Sequence, residues 1–334
     1  MTQPSVTDVS PQREQRAANK KSRLLIVQVV LTLAAFGFLF YKADIPQLAR
    51  AFKEAPWWSV PGATLMLLAV MFAGTLRWHL LMASYGARSI PPLTYLFRLQ
   101  LIGLFYNMMP GAVGGDVLRG VVSRHAFGPQ GMGAGLTVVL VERVFGLLAL
   151  MLLVVSVLAF HPVRGLALSP WVFVLGLIGS VGCLLGIALG RRIAPHLPSF
   201  LAKPASSLPE LNAPFAFVLA LGMSIVNQTF VGLMGHTAIG PLAAQVGALD
   251  SLVLSPLAFA AIFFPLTVAG AGTRDAAMVA LYGLLGVPQE TALLASLEIL
   301  VAYILVAALG GGLSLITPLR ETAQPGAPAT VDAA

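Results

Sequence analysis

Apolar runs long enough to cross a bilayer recur from residue 24 to residue 317, with little between them. Crossing ~30 Å of hydrocarbon takes about 20 apolar residues in a helix, and a helix satisfies its own backbone where no water can. Such runs lie at about 24–41, 57–76, 91–109, 131–160, 171–190, 214–239, 251–269 and 288–317. Only 10% of residues are charged and 57% are hydrophobic, against roughly 25% charged in an ordinary globular domain. A water-facing surface cannot be built from this. The expectation is an all-α polytopic membrane protein with about eight hydrophobic helical segments, and not a soluble enzyme.

Residues 1–22 read as a disordered, basic N-terminus, 23–318 as one transmembrane domain, and 319–334 as a disordered tail rich in Ala, Pro and Thr. Arg13, Arg16, Lys20, Lys21 and Arg23 precede the first apolar run as they would in a signal peptide. That run is longer than a signal-peptide core, lacks a small-residue cleavage site and is followed by further spans, so it should stay as an anchor. The net charge of +7 sits at the ends of apolar runs, which is orientation chemistry and gives no reason to expect nucleic acid. The single cysteine, Cys183, offers neither a disulfide nor a cysteine metal site, and no metal or cofactor is expected. Asp44–Glu54 reads either as a connecting loop or as a short interfacial helix with Ile45, Leu48 and Phe52 on one side.

The basic loops constrain which runs span. If all eight crossed from a cytoplasmic N-terminus, Arg191 and Arg192 would lie outside, against the positive-inside rule. If 91–128 instead enters and leaves on one side, Arg77, Arg88, Arg119, Arg124, Arg191, Arg192 and Lys203 all become cytoplasmic. By the same logic 251–286 enters and leaves from the outside. The preferred topology is six full spans plus two re-entrant hairpins of opposite direction, in a cell inner membrane, with both termini cytoplasmic. Pro and Gly cluster within apolar sequence at MMPGAVGGD (108–116) and FPLTVAGAG (264–272), where helices should break. Broken backbone at membrane depth must be buried in protein or line a wet cavity.

The two broken segments resemble one another. With Pro110 laid on Pro265, Gly115 falls on Gly270 and Arg119 on Arg274. Glu142 and Glu298 follow at nearly equal distances in the next long helices. In opposite orientations these copies form an inverted repeat, an arrangement found in many secondary transporters. Ionised Glu142, Arg143 and Glu298 in apolar helices must face inward or pair. They read either as a polar pocket for a headgroup or ion, or as ion pairs neutralising Arg119 and Arg274. Helix N-termini near Asp116 and Thr273 should present unpaired N–H groups, and with Arg119 and Arg274 one turn in they favour a phosphate over an amine. Gly182, Gly186 and Gly190 are expected to pack within the chain. Asn227 and Gln228, with His236 further along, read first as interhelical hydrogen-bonding groups, and His79 as an interface residue.

At LFYNMMPGAVGGDVLRG followed by VVLVERVFGLL, and again at FFPLTVAGAGTRDAAMVALYGLLG, the sequence resembles the bacterial flippase-like family typified by the transmembrane part of lysylphosphatidylglycerol synthase. The resemblance covers roughly residues 20–318. Carried over by motif, it implies a site of Asn107, Pro110, Gly114, Gly115, Asp116, Arg119, Glu142 and Arg143, then Pro265, Gly270, Gly272, Arg274 and Asp275. Glu298 joins them through the repeat. Asp275 stands where the family commonly has glutamate. The family's two-part members carry a soluble aminoacyl transferase domain, for which this sequence has no room, so aminoacyl-lipid synthesis is not expected.

The resemblance implies movement of a polar-headed lipid between leaflets. Opposed hairpins would build a midplane site in which Arg119 and Arg274 bind phosphate, while Glu142 and Glu298 oppose them or carry protons. Membrane lipids are the expected partners, with a separate lipid-modifying synthase as another. The alternatives are a membrane enzyme acting on a lipid-linked phosphate, for which no catalytic constellation is found in the sequence, and an accessory scaffold for lipid or lipid-linked glycan modification.

Overall fold

The computed structural model describes residues 29–108, 114–124, 126–127, 131–166, 169–199, 202, 206, 210–261 and 271–316. Among these residues every regular element is helical. The chain begins with α1 (Val29–Lys42), which turns by 92° into α2 (Ile45–Glu54). Then follow α3 (Ser59–Ser84), α4 (Leu93–Met108), α5 (Gly114–Arg124), α6 (Gly131–Phe160) and α7 (Pro170–Ile193). The last four are α8 (Pro214–Ile239), α9 (Ala248–Ala260), α10 (Thr273–Gly283) and α11 (Gln289–Ile316). The terminal segments 1–22 and 319–334 lie outside the described residues.

Five helices, α3, α6, α7, α8 and α11, are long and apolar enough to cross a membrane, and α1 with α2 makes a sixth only as a bent pair. Their outward side chains are apolar, as lipid requires: Leu65 and Phe72 on α3, and Leu175, Ile178 and Leu185 on α7, are exposed. Tyr41, Trp57, Trp58 and Trp171 are exposed at helix ends, where amphipathic rings favour a membrane–water boundary. Ile45–Glu54 forms a helix rather than a loop, with Asp44 as its N-cap. Asp44 Oδ1 accepts from the Gln47 N–H at 3.2 Å to start it, and Ile45 and Phe52 are left exposed on its surface.

The core is built on α3 running along α8, with α11, α4 and α6 packed around them. Polar side chains tie these helices together as expected. Asn227 Nδ2 donates to the Val70 carbonyl at 2.7 Å, and Gln228 Nε2 donates to that of Gly146 at 2.8 Å. Backbone meets backbone where α11 crosses α4, since a Cβ at Gly310 would fall on the Leu101 carbonyl oxygen, whereas one at Gly312 would meet nothing within 4 Å. Gly310→Ala is therefore expected to lower the melting temperature in detergent by an amount equivalent to about 1–3 kcal/mol. Gly312→Ala should be neutral or slightly stabilising, because alanine is the better helix former.

The two broken segments fold as hairpins of short helices. At 1.5 Å per residue, α4 and α5 are about 24 and 17 Å long and α9 and α10 about 20 and 17 Å, all short of ~30 Å of hydrocarbon. Helix α5 doubles back along α4: Asn107 touches Gly115, and a Cβ on Gly103 would lie 3.8 Å from Arg119 Cδ. Helix α10 doubles back along α9, where Ser255 Oγ meets Tyr282 Oη at 2.6 Å and Arg274 lies 5.4 Å from the Phe259 ring.

The glycine stripe of α7 departs from expectation. Gly182 and Gly186 have nothing within 4 Å of a built Cβ, because α7 sits at the edge of the bundle. Four-residue spacing permits close helix approach but supplies no partner for it.

Candidate functional site

The first hairpin carries a cluster of five charges that joins three helices. Glu142, on α6, is 4% exposed. Its Oε1 accepts from Arg77 Nη2 on α3 at 2.6 Å, and its Oε2 accepts from Arg119 Nη2 on α5. Arg143, the next residue on α6, bonds Asp116 Oδ2 on the first turn of α5. Asp116 Oδ1 lies 3.9 Å from Arg119 Nη1, which closes the circuit. Three guanidiniums face two carboxylates, so the fully ionised cluster carries one excess positive charge. Arg77 Nε and Arg119 Nε are buried with no hydrogen-bond partner. Arg143 is half-exposed, which gives the cluster an open side.

Arg119 is held rigidly. Its guanidinium stacks 4.5 Å from the Trp78 ring centroid, the Trp78 Nε1–H donates to Ser123 Oγ at 3.2 Å, and Ser123 Oγ donates to the Arg119 carbonyl at 2.8 Å. Burying a charged side chain under an aromatic face and fixing its backbone removes rotamer freedom in advance of any ligand. On the same hairpin Arg98 stacks 5.4 Å from the Tyr95 ring and has no ion-pair partner among the described residues.

Glycine makes the hairpin possible. A Cβ on Gly115 would fall on the Gly103 carbonyl oxygen and within 2.8 Å of Asn107 Oδ1. The Gly115 N–H donates to Asn107 Oδ1 at 3.0 Å. That N–H was expected to be free for an anion and is already used. Gly114 opens α5, while Pro110 lies outside the described residues.

The second hairpin is arranged differently. Arg274 is the second residue of α10, not one turn inside it. It does not meet Glu298; its Nη2 donates to Asp275 Oδ1 at 2.6 Å and to the Ser296 carbonyl at 3.3 Å. Asp275 Oδ1 also accepts from Ser296 Oγ, and its Oδ2 accepts from the Gly272 N–H at 2.7 Å. Gly272 has φ +91°, a conformation that suits glycine. Asp275 therefore fills the N-terminus of α10 with the protein's own anion. Its two oxygens divide between that helix end, through Gly272, and α11, through Ser296. Asp116 and Asp275 both occupy the third helical position, so by helix start they correspond to one another, and Arg119 and Arg274 do not. Pro265 and Gly270 lie outside the described residues.

The two sets do not converge on one midplane point. Glu298 bonds Ser59, the first residue of α3, and Glu142 bonds Arg77 on the same helix. At 1.5 Å per residue those anchors are about 27 Å apart along α3.

A family model described as the lysylphosphatidylglycerol synthase TM region matches residues 25–311. The chain belongs to that family. Comparison with curated proteins returns no match. In this family member Arg77 is the residue that sequence reasoning missed. The positive-inside rule reads it as a loop charge, yet it is 9% exposed and ion-paired. The available signal was that Trp78, Leu80, Leu81 and Met82 continue the apolar helix beyond it.

Proposed function

We propose that this multi-pass membrane protein moves a polar-headed, phosphate-bearing lipid between leaflets, with the headgroup engaged at the first hairpin. The carrying observation is the cluster of Arg77, Arg119 and Arg143 against only Asp116 and Glu142, buried at Arg77, Arg119 and Glu142 and open at Arg143. A phosphate oxygen can take up the excess charge and the unspent guanidinium donors, and the planar fork of arginine suits two oxygens at once. The name of the matched family, which describes the membrane part of a phospholipid-modifying synthase, supports a lipid as the guest. The same name favours a second reading, an accessory membrane part for a separate lipid-modifying synthase without transport.

Proteoliposomes containing the full chain separate the two. Fluorescent phosphatidylglycerol, phosphatidylethanolamine and a neutral glycosyl-diacylglycerol would be placed in both leaflets and reduced from outside. Transport expects faster exchange of the two phosphate-bearing probes than in protein-free vesicles, with the neutral glycolipid slower. No acceleration of any probe would leave the accessory reading.

We further propose the inner membrane of the cell as its location, with both termini cytoplasmic. The pair Arg191–Arg192 ends α7 and, as a positive-inside signal, belongs on the cytoplasmic face. In a Cys183→Ser background, a cysteine replacing Arg191 is expected to resist a membrane-impermeant maleimide in intact cells and to react after lysis. External labelling would overturn the topology.

A further inference from the structure

Six carboxyl groups belong to the two hairpins and the helices that follow them: Asp250 meets His161 Nε2 at 3.0 Å, Glu290 accepts from the Asp44 N–H, and three of the other four hold a guanidinium. Asp116 holds Arg143, Glu142 holds Arg77 and Arg119, and Asp275 holds Arg274. Glu298 holds none. It is 6% exposed; its Oε1 accepts from Ser59 Oγ at 2.8 Å, and its Oε2 is buried with no hydrogen-bond partner.

Every helix packed against α11 has been given the chance to supply a counter-charge, and among the described residues none does. On α3 the contact is Ser59, with Arg77 and His79 about 27–30 Å further along that helix at its 1.5 Å rise. On α10, Arg274 and Asp275 are joined to one another and to Ser296, and Tyr282 is bonded to Ser255. On α11 itself Glu290 accepts from the Asp44 N–H, and Tyr303 lies 5.7 Å from the Arg274 guanidinium. On α1, whose Leu39 carbonyl accepts from Gln289 Nε2 on α11, Lys42 lies over the Phe38 ring; it and Tyr41, with Arg98, Tyr95 and Tyr106 on α4, His236 on α8, and Arg50, Lys53 and Glu54 on α2, have no ion pair or hydrogen bond to Glu298 among the described residues.

A buried carboxylate with a single hydroxyl donor and a bare second oxygen is costly, whereas the neutral acid removes the charge that needs a partner. The location also allows the proton to leave. Ser59 is the first residue of α3, and a helix N-terminus carries partial positive charge that favours an anion once water reaches it. Glu142 lacks this freedom, because two guanidiniums hold its ionised form.

We propose that Glu298 is a proton-binding site, oriented by Ser59, and that, resting on the transport reading above, its proton is the ion coupled to lipid movement. The step is a simple dissociation: the carboxylic acid gives H⁺ to water and leaves the carboxylate at the α3 N-terminus. Infrared spectroscopy of the purified full chain at neutral pH tests this without transport. A protonated-carboxyl carbonyl band is expected, absent in Glu298→Gln and moved in frequency by Ser59→Ala, which removes the hydrogen bond to that carbonyl. Absence of the band in the parent, or its persistence in Glu298→Gln, overturns the proposal. If Glu298→Gln does not fold, an unmoved band in Ser59→Ala overturns it equally. In proteoliposomes, a transmembrane pH difference should change the exchange rate of labelled phosphatidylglycerol severalfold. Exchange indifferent to that difference overturns coupling while the transport reading stands. A band assigned to Glu298 in a protein that exchanges no lipid sustains the proton site while transport falls.

Discussion

Replacing Gly115 with leucine is expected to abolish leaflet exchange while leaving the protein inserted in the membrane. The added Cβ alone would fall on the Gly103 carbonyl oxygen and crowd Asn107 Oδ1. The obstacle is backbone, which cannot swing aside as a side-chain tip can. Helix α5 would be pushed from α4, which breaks the Gly115–Asn107 hydrogen bond and withdraws Arg119 and Asp116 from α6. Insertion depends on the long apolar helices, which this substitution does not touch. A membrane-fraction blot and an exchange assay check the two halves of the prediction. Exchange above half the parental rate would show that close approach of α4 and α5 is not required.

The second large effect concerns Glu142, which is the keystone of its cluster. Glu142→Gln leaves Arg77 and Arg119 buried against one another, with only Asp116 at 3.9 Å from Arg119 to offset them. Stranding buried charge in this way costs about 3–5 kcal/mol, a large share of a typical folding free energy. Folded protein recovered by size-exclusion chromatography should fall sharply. Arg119→Gln behaves differently, because Glu142 keeps Arg77, and recovery should stay near the parental level. The double variant Arg119→Gln with Glu142→Gln still strands Arg77 and should recover poorly. Adding Arg77→Gln, so that all three are neutral, should restore the yield. Parental recovery of Glu142→Gln would show that the cluster does not hold the bundle together.

Much of this arrangement was legible from residue types. Apolar run length gave the helices, and Pro–Gly clusters in apolar sequence marked the two hairpins. Asn107, Gly115, Asp116, Arg119, Glu142 and Arg143 do gather around one hairpin. Arg77 escaped because a cationic residue near the end of an apolar run is ordinarily an orientation signal. Only the apolar residues continuing past it, through Met82, distinguish the two cases. The second copy was misjudged for a different reason. Matching Pro110 to Pro265 assumes that helices restart at the same offset, yet α5 begins at Gly114 and α10 at Thr273. A shift of one turn put Arg274 at its helix start, within reach of Asp275 and away from Glu298. Residue spacing likewise could not say that α7 lies at the bundle edge, which left Gly182 and Gly186 unpacked while Gly190 is buried.

The central claim is that the excess positive charge at the first hairpin grips a lipid headgroup, and the exchange rate of Arg119→Gln tests it most directly. The variant, reconstituted at the same protein-to-lipid ratio as the parent and confirmed folded, is assayed with labelled phosphatidylglycerol. With Arg119 removed, the remaining Arg77 and Arg143 only balance Asp116 and Glu142, and the unspent Arg119 donor is lost. The account predicts exchange reduced to the rate of protein-free vesicles; exchange at the parental rate would contradict it.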